Sequence, residues 1–231
     1  MAVDVVVIGG TSGIGHALAA AYCSRGARVT ISGRDETKAA AVAADLGDEA
    51  RSIAFDLAEP RSIAEALRDT ERVDRLALVA VDRDQNTVAE YDIDGAIRLV
   101  TLKLVGYSEV IHQLADRLAP DASILLFGGL AKDRPYPGST TVTTVNGAVA
   151  TLIRTLAIEL APVRVNAIHP GIVADTPFWS GKEEHLANVR ARTPTGRNCM
   201  THEIVDASVF LLENTAMNGV NLDVDGGWMM Q

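Results

Sequence analysis

The sequence is poor in cysteine, which argues against disulfide-stapled and zinc-binding domains. Cys23 and Cys199 are the only cysteines among 231 residues, and they lie far apart along the chain. Such a pair provides neither a disulfide framework nor the clustered spacing of a metal site. Cys23 falls in an alanine-rich helical run, where core packing is its expected role. We therefore expect a reduced, cytoplasmic protein that holds no metal.

Excess basic charge and long apolar runs are also missing. The net charge is -9, from 30 acidic and 21 basic residues. Nucleic acids and anionic membranes attract basic surfaces, so neither is expected as a partner. The apolar runs are shorter than the roughly 20 residues that span a bilayer, and no charged-then-apolar leader precedes the first predicted strand. These absences leave a small-molecule substrate or ligand as the expected partner.

What the sequence does contain is a regular alternation of β-branched runs and helical patterns. Near-continuous apolarity indicates strands that are buried on both faces, as in a parallel sheet. The predicted strands are 3–8, 27–32, 52–55, 76–81, 123–127, 163–168 and 220–224, and the predicted helices are 13–25, 35–46, 61–69, 94–118, 141–160 and 202–212. This pattern predicts one α/β domain over residues 1–231, a Rossmann-like doubly wound fold. The mixed polar stretch 176–197 is a candidate lid.

A glycine-rich turn follows the first predicted strand and opens the first predicted helix. It reads Gly9-Gly10-Thr11-Ser12-Gly13-Ile14-Gly15. Glycines let the backbone approach a pyrophosphate closely, and free N–H groups at a helix start hold the anion. A tight strand-to-helix turn without a ligand would also explain the glycines. The position directly between an N-terminal strand and a helix favours dinucleotide binding.

The end of the second predicted strand points to the phosphorylated cofactor. It reads Ser32-Gly33-Arg34-Asp35, with an arginine where an acidic residue would hold a ribose 2′-hydroxyl. A guanidinium can bind a 2′-phosphate through charge-assisted bonds of about 1.5–3 kcal/mol each. Asp35 either caps the next helix or takes a 2′-hydroxyl, and Arg34 could instead be a solvated surface residue. Of these alternatives we favour NADP(H) over NAD(H).

Four motifs in this order give the chain a clear resemblance to one family. They are Gly9-x3-Gly13-x-Gly15, the run Arg164 to Gly171, Thr193-Pro194-x-Gly196-Arg197 and Val224-Asp225-Gly226-Gly227. With them the chain resembles the short-chain dehydrogenase/reductase family over its whole length. The resemblance implies a seven-stranded parallel sheet, NAD(P) binding, and a homodimer or homotetramer built on two central helices and the C-terminal segment.

The resemblance also implies a set of cofactor contacts. A turn or a helix cap would explain Asp56 and the Pro170-Gly171 pair equally simply, and these alternatives stay open. The implied contacts are Gly9, Thr11, Ser12, Gly13, Ile14, Gly15, Ser32, Arg34, Asp56, Leu57, Ala80, Pro170, Gly171, Val173 and Thr176.

The catalytic positions of the family are all changed. The family tetrad is Asn, Ser, Tyr and Lys, and an ungapped match to its lysine helix fixes the register here. The residues at these positions are Thr101, Gly129, Val142 and Asn146. A positioned acid–base group typically contributes about 10²–10⁴ in rate. Because valine cannot transfer a proton, the family mechanism cannot operate from these residues.

A polar loop after the fifth predicted strand offers substitutes. Tyr136, Lys132 or Asp133 could supply a proton, and Lys132 next to Tyr136 would lower the pKa of the phenol; a solvated loop with local ion pairs is the alternative. Three hypotheses follow. The favoured one is an NADP(H)-dependent oxidoreductase acting on a small carbonyl or hydroxyl compound by a non-standard site. The others are a non-redox enzyme of dehydratase or cyclase type, and a catalytically silent NADP(H)-binding sensor or partner subunit.

Overall fold

The protein forms one parallel seven-stranded sheet in the order β3-β2-β1-β4-β5-β6-β7, in a computed structural model that describes residues 2–230. Strand β1 pairs with β2 on one side and with β4, the central strand, on the other. The strands are β1 Asp4–Ile8, β2 Arg28–Gly33, β3 Ala50–Ala54, β4 Val73–Leu78, β5 Leu118–Phe127, β6 Arg164–Pro170 and β7 Asn221–Val224. The predicted fold class and the number of strands are confirmed.

Helices cover both faces of the sheet. They are α1 Gly13–Cys23, α2 Glu36–Leu46, α3 Ile63–Ala66, α4 Ile93–Val100, α5 Tyr107–Leu114, α6 Thr140–Glu159, α7 Glu183–Arg192 and α8 Thr201–Glu213. Successive residues of β5 enter opposite cores, with Ile124 packed in one and Leu125 in the other. This two-sided burial explains the unbroken apolar runs of the sequence.

The predicted helix 94–118 is in fact interrupted. A π-helical segment, Thr101–Gly106, separates α4 from α5, and β5 begins at Leu118. Gly106 packs so closely that a Cβ there would overlap the backbone oxygen of Leu57. The irregular turn therefore lets the helix lie against the loop after β3, a long-range contact that periodicity does not report.

Strand β4 ends earlier than predicted, at Leu78 rather than at residue 81. The N–H groups of Val79 and Ala80 both donate to the Ile8 oxygen, at 2.9 and 3.0 Å. Sharing one acceptor ends the regular ladder between β1 and β4. The strand order reverses between these two strands, and ligands of open α/β sheets bind at the carboxyl ends of the strands at such a point.

The stretch 176–197 contains a 3₁₀ turn, Pro177–Trp179, followed by α7. Only Leu186 is buried in α7, which explains why no amphipathic pattern marked it as a helix. A Cβ on Gly13 would lie 3.9 Å from Pro177 Cδ, so the stretch reaches the glycine turn. This position suits a lid, and movement of the stretch remains a prediction.

Helix α6 alone, among the helices of residues 2–230, is long and apolar enough to cross a membrane by length and composition. Val145, Val149 and Ile153 are buried in the core, as in the central helix of many α/β domains. Its contacts with β6 and α4 hold it against the sheet. The apolarity of α6 is therefore explained in part by packing within this fold.

Candidate cofactor and active site

The turn after β1 can be formed only by glycine at two of its positions. Gly9 has a φ of +92°, and a Cβ there would lie 2.6 Å from Ala80 N. A Cβ on Gly15 would overlap the backbone oxygen of Gly9. The first turn of α1 therefore lies directly on the end of β1, and the predicted contact residue Ala80 packs against Gly9.

This turn presents unused hydrogen-bond donors. Ser12 is the N-cap of α1, yet its side chain makes no capping bond. The backbone N–H groups of Ser12, Gly13 and Ile14 have no hydrogen-bond partner within residues 2–230. These groups lie at the positive end of an 11-residue helix. Free N–H groups in a glycine-lined cradle fit the pyrophosphate of a dinucleotide.

The end of β2 is fastened to the same turn. Ser32 Oγ accepts a hydrogen bond from Gly9 N at 3.1 Å, and the Ser32 oxygen accepts one from Gly10 N at 3.0 Å. A Cβ on Gly33 would lie 2.6 Å from Thr11 Cγ2, so these residues are in close contact. Thr11 and Ser32 thus shape the turn and fix Gly33, and a contact of either with a cofactor remains a prediction. Gly33 leads directly to the next residue of the chain.

That next residue is Arg34, whose side chain is 64% exposed and points to the Asp82 carboxylate, 3.6 Å away. Asp35 caps α2, because its side chain accepts a hydrogen bond from Lys38 N at 2.9 Å. Of the two roles considered for Asp35, the structure shows the cap. The guanidinium of Arg34 remains accessible to a phosphate.

Two further predicted contacts lie after β3. Asp56 Oδ1 accepts from Ala58 N at 2.9 Å, and Oδ2 accepts from Arg98 Nη2 at 2.8 Å. Burial would raise the pKa of Asp56, but these hydrogen bonds and the Arg98 charge hold it below its usual value. The Leu57 side chain packs into the core. Only the backbone of Leu57 could therefore face a ligand.

The predicted contacts after β6 lead from the sheet into the candidate lid. Gly171 N donates to the Val224 oxygen at 2.9 Å, which ties this loop to β7. Thr176 Oγ1 donates to the Val173 oxygen at 2.9 Å. Pro170 ends β6 at the same edge of the sheet as the glycine turn. These residues therefore lie at the carboxyl edge of the sheet and lead into the candidate lid.

The structure brings together two of the four positions that the sequence predicts to correspond to the family tetrad. A Cβ on Gly129 would lie 2.8 Å from Asn146 Nδ2. Asn146 is 7% exposed, so its amide is largely buried beside Gly129. Val142 lies one turn earlier on α6, and Thr101 begins the π-helical segment. No group at these four positions titrates near neutral pH.

The buried ring of His169 explains why position 128, next to Gly129, is also a glycine. A Cβ on Gly128 would overlap His169 Nδ1, which accepts a hydrogen bond from Gly129 N at 3.1 Å. The other ring nitrogen then carries the proton and donates to Asn221 Oδ1 at 2.8 Å. Burial lowers the pKa of His169 despite the opposing Asn221 bond, so the ring is neutral near pH 7. Through its bond to Gly129 N, His169 holds the backbone of the loop after β5 in place.

Comparison with known proteins agrees with this architecture. The model of a family described as Enoyl-(Acyl carrier protein) reductase matches residues 9–229. The chain belongs to the short-chain dehydrogenase/reductase family. Short-chain dehydrogenase/reductase ucsE of Acremonium sp is 28% identical, over 96% of this chain and 94% of the relative. The 3-oxoacyl-[acyl-carrier-protein] reductase of Homo sapiens is 27% identical, over 96% and 95%.

A solved structure is similar to this chain over the whole fold. MalC reductase/Diels-Alderase from Malbranchea aurantiaca has a TM-score of 0.91 and 26% identity, and the match covers 100% of this chain and 97% of MalC. Membership of the short-chain dehydrogenase/reductase family implies a nicotinamide cofactor, and the glycine cradle with its free N–H groups fits one.

The three substitute catalytic candidates do not form one cluster. Lys132 binds Asp133 and lies 3.2 Å from Asp223 Oδ1. Burial would lower the pKa of Lys132, but its bonds to these two carboxylates raise it. Tyr136 is 53% exposed and lines, with Thr143, a cavity of about 400 Å³ that Lys132 does not border. The structure does not bring Lys132 and Tyr136 together, because both carboxylates engage the ammonium instead.

A tyrosine–lysine pair that sequence reasoning missed lies in the core. Lys103 Nζ donates to Tyr107 Oη at 2.9 Å and to the Phe127 oxygen at 2.5 Å, and Tyr107 Oη donates to the Ala80 oxygen at 2.7 Å. The i, i+4 spacing was the available signal. Since Tyr107 is 0% and Lys103 2% exposed, the pair braces the ends of β4 and β5 and cannot touch a substrate.

Proposed function

We propose that this protein binds NADP(H) and acts as an oxidoreductase on a small carbonyl or hydroxyl compound, in the reduced cytoplasm, through a non-standard active site. The observation that carries the proposal is the set of unpaired N–H groups at Ser12, Gly13 and Ile14, with the exposed Arg34 guanidinium beside them. The N–H groups would hold the pyrophosphate and Arg34 the 2′-phosphate.

The remaining residues have supporting roles in this proposal. A nicotinamide, when bound, supplies or accepts a hydride. Pro170, Gly171 and Ala80 would bound its binding cleft, and Pro177 would cover the glycine turn. Tyr136 is the candidate proton donor, because its phenol lines a cavity with Thr143 next to the tetrad position 142. Lys132, held by two carboxylates, would position the loop rather than assist the phenol.

The cofactor part is tested by fluorescence titration with NADPH and NADH. Arg34→Ala should weaken NADPH binding by about ten- to a hundred-fold, the worth of one charge-assisted bond, and leave NADH binding within two-fold. Arg51→Ala, which removes an exposed arginine of β3, is the matched control. An unchanged NADPH/NADH ratio in Arg34→Ala would contradict the assignment.

The redox part is tested by a screen of carbonyl and alcohol substrates that follows NADPH oxidation or NADP⁺ reduction. Tyr136→Phe removes only the phenolic hydroxyl and should lower kcat by about 10²-fold or more. Tyr91→Phe, at another half-exposed tyrosine, should leave kcat unchanged. Equal activity of Tyr136→Phe and wild type would remove Tyr136 as donor.

A catalytically silent NADP(H)-binding protein is the second candidate, and a non-redox enzyme is the third. The replacement of all four tetrad groups favours both, and the structurally similar MalC is described as a reductase/Diels-Alderase. Tight NADPH binding without turnover of any substrate would support the silent protein. Substrate conversion without a change in NADPH absorbance would support non-redox chemistry.

Finally, we propose that the chain forms a homodimer or homotetramer through α4 and α6. Ile93 and Ile97 on α4 are 62% and 60% exposed. Of the apolar 18-residue stretch within α6, only 28% is buried. Apolar surface of this extent marks an interaction site. Light scattering after size exclusion tests it: Ile97→Asp should shift the mass towards that of one chain, and an unchanged oligomer would place the interface elsewhere.

A further inference from the structure

A charged network lies at the carboxyl ends of β2, β3 and β4. Arg98, on α4, donates through Nε to Asp82 Oδ2 and through Nη2 to Asp56 Oδ2, both at 2.8 Å. Asp82 Oδ1 also lies 3.6 Å from Arg34 Nη1. One carboxylate, that of Asp82, thus bridges two guanidinium groups from different parts of the chain.

The network borders a cavity of about 350 Å³ that Arg34, Asp82 and Arg98 line together. The two arginines and two aspartates of the network, Asp56 included, have a formal charge of zero. Arg83, Asp84 and Asp92, which also line the cavity, add one positive and two negative charges. A phosphate monoester carries about -1.5 to -2 at pH 7. A phosphate placed here would therefore meet two guanidinium groups whose charge is already balanced, and it would be repelled by the nearby carboxylate of Asp82.

The contacts of Asp82 differ in strength. Arg98 makes a close hydrogen bond to Asp82, whereas the Arg34 contact is long and its guanidinium is 64% exposed. Exposed pairs of this kind are weak, so a phosphate can displace Asp82 from Arg34. Asp82 stays nearby, however, because Arg98 holds it. Arg34 and Arg98 thus meet at the Asp82 carboxylate. An anionic ligand must compete with this carboxylate for the two guanidinium groups.

We propose that Arg34 and Arg98 together form the 2′-phosphate subsite, and that Asp82 is a specificity-determining residue that restrains binding there. This inference rests on the proposed binding of NADP(H). It assigns cofactor preference to the balance between Asp82 and the two arginines, rather than to Arg34 alone. The preference for NADP(H) over NAD(H) is then smaller than Arg34 by itself would give.

Calorimetric titration with 2′,5′-ADP and with 5′-AMP tests the inference without catalysis. Asp82→Asn keeps the size of the side chain and removes its charge, so 2′,5′-ADP should bind about five- to ten-fold more tightly. Binding of 5′-AMP, which lacks the 2′-phosphate, should stay within two-fold. Arg98→Gln should weaken 2′,5′-ADP binding and spare 5′-AMP.

Asp84→Asn is the matched control. Asp84 lines the same cavity, but its carboxylate accepts a hydrogen bond from Asn86 and contacts neither guanidinium. It should change 2′,5′-ADP affinity by less than two-fold. Asp82→Ser serves as a second charge-removing variant, and circular dichroism checks the fold of each protein.

The outcomes separate this inference from the function on which it rests. Wild-type protein that binds 5′-AMP and NADH but neither 2′,5′-ADP nor NADPH would refute NADP(H) binding itself. Wild-type protein that binds 2′,5′-ADP, with Asp82→Asn and Asp82→Ser unchanged or weaker, would refute the role of Asp82 alone. An equal gain for 5′-AMP would also refute it, because the effect would not concern the 2′-phosphate.

Discussion

The buried Lys103 should make the stability of the protein rise with pH in the neutral to alkaline range. Its ammonium group is 2% exposed and faces a hydroxyl and a backbone oxygen, with no carboxylate bonded to it. Burial lowers the pKa of Lys103 from 10.5 to about 7. Between these two values the unfolded chain binds a proton that the folded chain has lost, so raising the pH favours the folded state.

The size of the effect follows from the two pKa values. At pH 7 about half of the folded molecules carry the proton, whereas at pH 9 almost none do. Integration over this range gives a gain in unfolding free energy of about 2 kcal/mol from Lys103 alone. Below pH 7 the burial penalty is present in full, and above the unfolded pKa it vanishes. The window from pH 7 to pH 9 is therefore the informative one.

Urea unfolding of wild type and Lys103→Met at pH 7, 8 and 9 measures this contribution. The difference in unfolding free energy between the two proteins should change by about 2 kcal/mol in favour of wild type as the pH rises. The exposed lysine variant Lys38→Met should give a difference that does not vary with pH. A constant difference for Lys103→Met would refute a buried, neutralised lysine.

Two further changes test the packing around the site. Gly128→Ala forces a methyl group against the buried ring of His169, so it should lower the unfolding free energy by about 1–3 kcal/mol in urea titration; a neutral effect would mean that His169 moves freely. Asp35→Ala removes the cap of α2 and should cost about 1 kcal/mol in the same assay, with NADH affinity unchanged. A loss of NADH affinity would instead indicate a ribose contact.

The fold was predictable because its signals are local. Each buried strand is a short apolar run, and the turn Gly9 to Gly15 combines a backbone requirement with a position between strand and helix. The cap at Asp35 is likewise a property of neighbouring residues. The sequence alone therefore predicted the glycine turn at the carboxyl end of β1, and its role as the cofactor site remains a prediction.

The predicted helix 94–118 and the predicted end of β4 were wrong because residues distant in sequence decide the local structure there. The π-helical segment depends on the contact of Gly106 with Leu57, and the early end of β4 depends on a carbonyl of Ile8 that two N–H groups share. For Lys132, the structure shows the alternative of ion pairs rather than a pair with Tyr136, and one of its partners, Asp223, lies about ninety residues further along the chain. No periodicity within a segment reports such contacts.

Two of the positions that the sequence predicts to correspond to the family tetrad, Gly129 and Asn146, are linked by packing. Gly129 leaves room for the Asn146 amide, since a side chain there would begin 2.8 Å from that nitrogen. A serine returned to position 129 alone would press on Asn146, and a tyrosine at position 142 would still lack its lysine one turn later. Because no single reversal would restore a tyrosine paired with a lysine at these predicted positions, we propose that any chemistry at this site comes from residues outside the four.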